Sequence, residues 1–128
     1  MKNAVNWFEI PVKNFDRATK FYETILGAKL ENHEGPMTKE MGIKMAFFPA
    51  DMQNGGIGGA IIQSQGYEPS QNGSIVYLNG GDDLSKSLAK VEKAGGKIVM
   101  PKTAIGENGH IAKFTDTEGN IVAFHSMN

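Results

Sequence analysis

The chain has 128 residues, the size of one domain, and the scaling of surface with mass allows about two-thirds of the unfolded surface to be buried. Thirteen basic residues stand against 14 acidic ones, with 40% hydrophobic and 21% charged residues; this describes an ordinary globular chain and argues against nucleic acid, whose recognition draws on clustered Arg and Lys. Cysteine is absent, which removes disulfides, thiolate metal sites and Cys nucleophiles together.

Residues 4–12 are rich in strand formers and alternate, with Phe8, Ile10 and Val12 on one face and Trp7 and Glu9 on the other. Asn14 then suits the N-cap of a helix whose apolar stripe is Ala18, Phe21, Tyr22, Ile25 and Leu26, stopped by Gly27 in the C′ position. Residues 28–33 read as a short strand, Gly35-Pro36 as a break, and residues 42–49 and 57–64 as two further strands around the turn-rich Asp51 to Gly56. The order then recurs. Gly73 to Asn79 is a strand; Asp82 or Asp83 caps a helix with Leu84, Leu88 and Val91 on its stripe; Gly95-Gly96 closes it, and Lys97 to Met100 begins the next strand. His110 to Thr115 and Ile121 to Ser126 supply the last two strands, joined by the turn formers Asp116-Thr117-Glu118-Gly119-Asn120.

Both halves therefore read β-α-β-β-β, one over roughly residues 4–64 and the other over 73–126. An offset of 69 residues sets Gly27 on Gly96, Phe15 on Leu84 and Trp7 on Val76. The expected fold is α+β: tandem βαβββ modules whose curved sheets pair edge to edge into a half-open cup. One set of side chains packs under the helices and the other lines the concave face, where ligands usually bind.

The stretches Trp7-Phe8-Glu9-Ile10-Pro11-Val12, Arg17-Ala18-Thr19-Lys20-Phe21-Tyr22 and Asp116-Thr117-Glu118-Gly119-Asn120, set in this tandem order, resemble the vicinal oxygen chelate superfamily. That superfamily includes glyoxalase I, bleomycin-resistance and fosfomycin-resistance proteins and extradiol dioxygenases. The resemblance covers almost the whole chain. It implies a divalent metal on His, Glu or Gln side chains from the first and last strands of each module. Here those positions fall on or next to Trp7, Val76 and Ala123, and Gln63 and Ser64 are the polar candidates of strand 57–64. The chain departs from the metal-binding pattern, so no metal and no cofactor is expected.

Five residues are candidates for a site. Glu9 shares a face with Trp7, and in a partly dry cavity its carboxylate would be desolvated and suited to acid–base work; at an open rim it would be a solvated charge. His125 lies two residues beyond Ala123 on the same face of its strand, and histidine exchanges protons near neutral pH. Trp7 with Phe47, and Phe124 or Tyr77 beside them, would form an aromatic wall against a planar ligand, whereas Phe8, Phe21 and Phe124 suit the core. His110 opens its strand at a rim, where it would touch ligand, and His33 reads as solvated. A metal site assembled from Glu9, His110 and His125 is the disfavoured alternative, since the histidines at 33, 110 and 125 lack the i,i+4 spacing of a helical site. Gly55-Gly56-x-Gly58-Gly59 precedes a strand rather than opening a helix, so phosphate-loop logic does not apply; small residues there allow close strand approach.

Two functions follow, of different classes. One is a metal-independent protein that holds a small molecule in the cup, with Trp7 stacking and Glu9 and His125 orienting a polar group. The other is a glyoxalase-like lyase, an isomerase or a dioxygenase relying on Glu9 and His125 or on a non-standard metal site. The resemblance also implies a homodimer. The longest apolar run, Met45 to Ala50, is strand-sized, and the N-terminus carries no signal-like h-region, so the expected location is the cytoplasm, with no membrane partner.

Overall fold

The alternation at the N-terminus sets the first element of the structure, a computed structural model that describes residues 2–128 apart from the Met37 side chain. Strand β1 (Trp7–Pro11) turns Ile10 into the core while Trp7 and Glu9 stay exposed. Helix α1 (Phe15–Leu26) begins where Asn14 accepts the Arg17 backbone N–H through its side-chain oxygen at 3.0 Å, and ends at Gly27, whose φ of 64° is the left-handed conformation glycine tolerates. Then follow β2 (Glu31–His33), α2 (Pro36–Met41), β3 (Lys44–Phe47), β4 (Gly58–Gln63), β5 (Val76–Asn79), α3 (Ser85–Leu88), β6 (Lys97–Ala104), β7 (His110–Thr115) and β8 (Ile121–Ser126). No helix is long and apolar enough to cross a membrane among the described residues.

The elements build two four-stranded sheets in the orders β1-β4-β3-β2 and β5-β8-β7-β6. The first and last strands of each module, β1 with β4 and β5 with β8, pair in parallel, and the other neighbours are antiparallel. This is the tandem βαβββ arrangement expected from the repeat. The expected edge-to-edge pairing of the two sheets into one is absent: no strand of one is hydrogen-bonded to a strand of the other among the described residues, and the sheets stay separate.

Three local readings change. The Gly35-Pro36 break opens α2, because proline at the first helical position lacks only an N–H that would be unpaired there and brings a φ suited to the helix. The second helix is a single turn, Ser85–Leu88, although Leu84, Leu88 and Val91 are all buried as the stripe requires. Tyr77, not Val76, is the outward residue matching Trp7: Tyr77 is exposed and Val76 packs on the core. The 69-residue offset is thus one residue short at this strand, and in a strand one residue reverses the face.

One hydrophobic cluster joins both sheets to the helices. Helix α1 touches each sheet: Tyr22 meets Phe48, just past β3, edge-on at 5.3 Å, and Phe21 lies 6.1 Å from Phe114 of β7. Phe21, Tyr22 and Ile25 are buried, and each side chain of that size contributes about 1.5–3 kcal/mol on burial. The sheets turn their packed faces toward this shared helical layer, so Trp7, Glu9 and Phe47 of one sheet and Tyr77, Asn79 and His125 of the other lie on the opposite faces.

A buried polar seam fixes the modules to each other. The turn Asp116–Asn120 places the Glu118 carboxylate at the start of α1. It accepts the backbone N–H groups of Lys13 and Asn14 at 2.9 and 2.7 Å, Arg17 Nε at 2.7 Å and the Thr117 hydroxyl at 2.8 Å. Burial favours the neutral acid, but Arg17 and these hydrogen bonds outweigh it and hold the carboxyl down at about 2. Asp116 accepts the Tyr22 hydroxyl at 2.7 Å and the Asn120 side-chain amide at 2.9 Å, and that amide also donates to the Pro11 carbonyl at 2.7 Å. Burial, then the Asp116 charge, push the Tyr22 hydroxyl well above its ordinary pKa.

Candidate functional site

The outward face of the first sheet gathers an aromatic and acidic group whose spacing comes from strand register. Trp7 pairs with Gly58, and Glu9 with Ala60, which pairs in turn with Phe47. Small residues on β4 leave the β1 side chains room: a Cβ on Gly58 would come within 3.0 Å of the Met52 sulfur and 3.4 Å of the Trp7 ring, and one on Gly59 would collide with Phe8. Trp7 and Phe47 meet edge-to-face at 5.2 Å, and His33 stacks on Phe47 at 4.6 Å. The Trp7 indole N–H donates to Glu9 Oε2 at 3.3 Å. Glu9 is exposed, a carboxylate at an open rim rather than in a dry cavity.

Glu9 stands between two cavities. One, of about 210 Å³, is lined by Glu9, His33, Thr38, Met45, Ile62 and Tyr67. The other, of about 220 Å³, runs from Glu9 to Glu68 and Asn120. His33, expected to be solvated, is exposed yet belongs to this group. Neither it nor Tyr67 could be placed from sequence, because the register of β2 on β3 and the path of the loop after β4 leave no local signal.

His125 occupies the outward face of the second sheet. Its Nε2 lies 2.6 Å from the Asn108 carbonyl; a carbonyl only accepts, so Nε2 carries a proton. A cavity of about 560 Å³ joins His125 to Tyr77, Asn79, Ile105, Asn108 and Ile111. Alternation along β7 puts His110 on the other side, with the buried Ala112 and Phe114, and its Nδ1 is buried with no hydrogen-bond partner among the described residues. His110 is therefore not brought together with His125, nor Glu9 with His125: the two expected acid–base residues sit on different sheets and line different cavities. A larger opening, about 920 Å³, lies between the free edges of β1 and β5 and reaches the outward Trp7 and Tyr77 as well as the core-side Phe8, Leu26, Phe48 and Leu78.

The residues at the positions where the resemblance implies metal ligands do not fit a divalent ion. Trp7 and Ala123 offer no donor atom for one, and Tyr77, the outward residue on β5, brings a phenol rather than an imidazole or carboxylate. No group of three or more His, Asp or Glu side chains is placed to hold an ion among the described residues.

Comparison with known proteins matches residues 4–124 to the family described as the Glyoxalase/Bleomycin resistance protein/Dioxygenase superfamily. Among solved structures, a glyoxalase/bleomycin resistance protein from Albidiferax ferrireducens superposes with a TM-score of 0.74 at 14% identity, over 98% of this chain and 100% of that one. A glyoxalase I mutant from Zea mays gives 0.69 at 24% identity, covering 94% of this chain but 46% of its own, so this chain spans about half of that protein. A genomically encoded fosfomycin resistance protein from Listeria monocytogenes gives 0.63 at 14% identity, over 100% and 94%. No curated protein sequence matches the chain.

Proposed function

The chain belongs to the Glyoxalase/Bleomycin resistance protein/Dioxygenase superfamily, and from that premise we propose that it binds a small organic molecule on the outward face of its first sheet, without a metal ion. The observation that carries this reading is the group Trp7, Glu9, Phe47 and His33: aromatic surface and a carboxylate beside open cavities, on the face turned away from the helical layer. In this reading Trp7 and Phe47 supply the apolar contact and Glu9 orients a donor on the ligand. His125 with Asn79 offers a second set of polar groups on the other sheet.

The cup is completed by a second copy of the chain. The free edges of β1 and β5 flank a groove at which Val5, Trp7, Ile57 and Tyr77 are exposed. Apolar side chains beside unpaired strand edges favour association with another chain. An acid–base enzyme using Glu9 and His125 is the weaker reading, because one chain keeps them in separate cavities.

Native mass spectrometry of protein purified without chelator or affinity metal tests these points together. The expected result is a dimer, free of stoichiometric divalent ion, that retains or takes up an organic adduct lost in Trp7→Ala. One divalent ion per chain, or adducts indifferent to Trp7→Ala, would overturn the proposal.

A further inference from the structure

We infer that the site around Glu9 selects an organic cation, one carrying its charge on or beside a flat ring. The inference rests on the small-molecule reading and names the class of ligand that reading leaves open. Both cavities that meet at Glu9 lack Lys and Arg among their described lining residues, and the second adds the carboxylate of Glu68. Glu9 enters no ion pair among the described residues; its one side-chain partner is the neutral Trp7 indole. The negative charge is thus held next to aromatic rings with no ionic partner among the described residues.

The rest of the site favours the same class. Tyr67 on the cavity wall presents π surface, the Trp7 indole adjoins Glu9 directly, and ring faces attract cations electrostatically. A cavity of about 150 Å³ holds a benzene ring, so the 210 Å³ beside Glu9 accepts one ring with a small charged substituent. An anion would meet Glu9 with no Lys or Arg among the described lining residues of either cavity to compensate, and a neutral ring would forgo the charge-assisted hydrogen bond.

Trp7 is the only tryptophan, so the fluorescence of the full-length protein reports on this site directly. Three probes of nearly one shape separate the cases: benzamidinium, benzamide and benzoate. The expected result is saturable quenching by benzamidinium, at least about tenfold weaker binding of benzamide and none of benzoate, with affinity falling as salt is added. Glu9→Gln keeps the side chain's size and its acceptor for Trp7, and should lower benzamidinium affinity about tenfold. Benzamidinium binding unchanged by Glu9→Gln, benzoate binding as well as benzamidinium, or no saturation by any probe would each overturn the inference. Where benzamide or benzoate saturates, small-molecule binding stands and only the charge preference falls. Where none does, retention of an organic adduct in the native mass spectrum still decides the broader reading by itself.

Discussion

Two groupings of carboxylates and aromatic rings lie in this chain, and they differ in how they are closed. In the seam between modules, the Asp116 and Glu118 carboxylates are buried and their oxygens are taken up by the Lys13, Asn14 and Asn120 backbone N–H groups, Arg17, the Tyr22 and Thr117 hydroxyls and the Asn120 amide. On the outward face of the first sheet, Glu9 has the Trp7 indole alone as a side-chain partner among the described residues and is exposed. The same residue types therefore do different work. A buried charge is tolerable only when paired and hydrogen-bonded, so the seam is committed to holding the modules together. An exposed carboxylate beside stacked rings contributes little to folding and is left free to meet a ligand.

The largest expected effect comes from removing the apolar packing beside the seam. Phe21 is buried, lies 6.1 Å from Phe114 and sits so close to Gly96 that a Cβ there would come within 2.8 Å of the ring. Phe21→Ala should cost about 3–5 kcal/mol, read from urea unfolding. Because α1 packs on both sheets, the transition should remain single, with the m-value of the unaltered chain. Two separated transitions would mean that the modules fold independently, and the seam would lose the role assigned to it.

Next in size is the response to acid. The Glu118 carboxyl is held at about 2 against an ordinary 4.5. A carboxyl whose pKa is depressed by folding stabilises the fold fully above its unfolded value, and that contribution is lost as pH falls through the folded value. Stability should therefore decline between pH 4.5 and about 2, and the urea midpoint of Glu118→Gln should change less over this window. At neutral pH Glu118→Ala should cost about 2–3 kcal/mol, since the Lys13 and Asn14 N–H groups lose their acceptor while Arg17, half exposed, returns to water. An acid profile unaltered by Glu118→Gln would place the pH response elsewhere.

The sequence disclosed the parts of the fold whose signal is local. Asn14 and Gly27 bound α1, and the strands His110–Thr115 and Ile121–Ser126 follow the expected limits, because caps and period-two alternation act over a few residues. The seam was legible only in its parts: Arg17 to Tyr22 and Asp116 to Asn120 stood out as stretches carrying the resemblance, the second also as a hairpin turn, but their pairing did not, because Tyr22 and Arg17 lie 94 and 101 residues from their partners and no periodicity spans such a distance. The candidate site divides in the same way. Alternation put Trp7 and Glu9 together on the outward face, whereas the stacking of His33 on Phe47 depends on how β2 lies against β3. His110 shows the opposite failure: its place at a strand start suggested a rim, and strand parity sends it toward the side of Ala112 and Phe114.

The smallest effect is the sharpest test of the contrast between the two groupings. Glu9→Gln keeps the acceptor for the Trp7 N–H and removes a charge that has no ionic partner among the described residues. A substitution of that kind at an exposed position should leave unfolding free energy within about 0.5 kcal/mol, while the same change at Glu118 removes a charge that Arg17 and two backbone N–H groups depend on. Measured side by side by urea denaturation at neutral pH, the two variants should separate clearly, with Glu118→Gln the less stable. A loss of 1 kcal/mol or more in Glu9→Gln would mean that the outward carboxylate also supports the fold, and its unbalanced charge would no longer single it out as a place for a ligand.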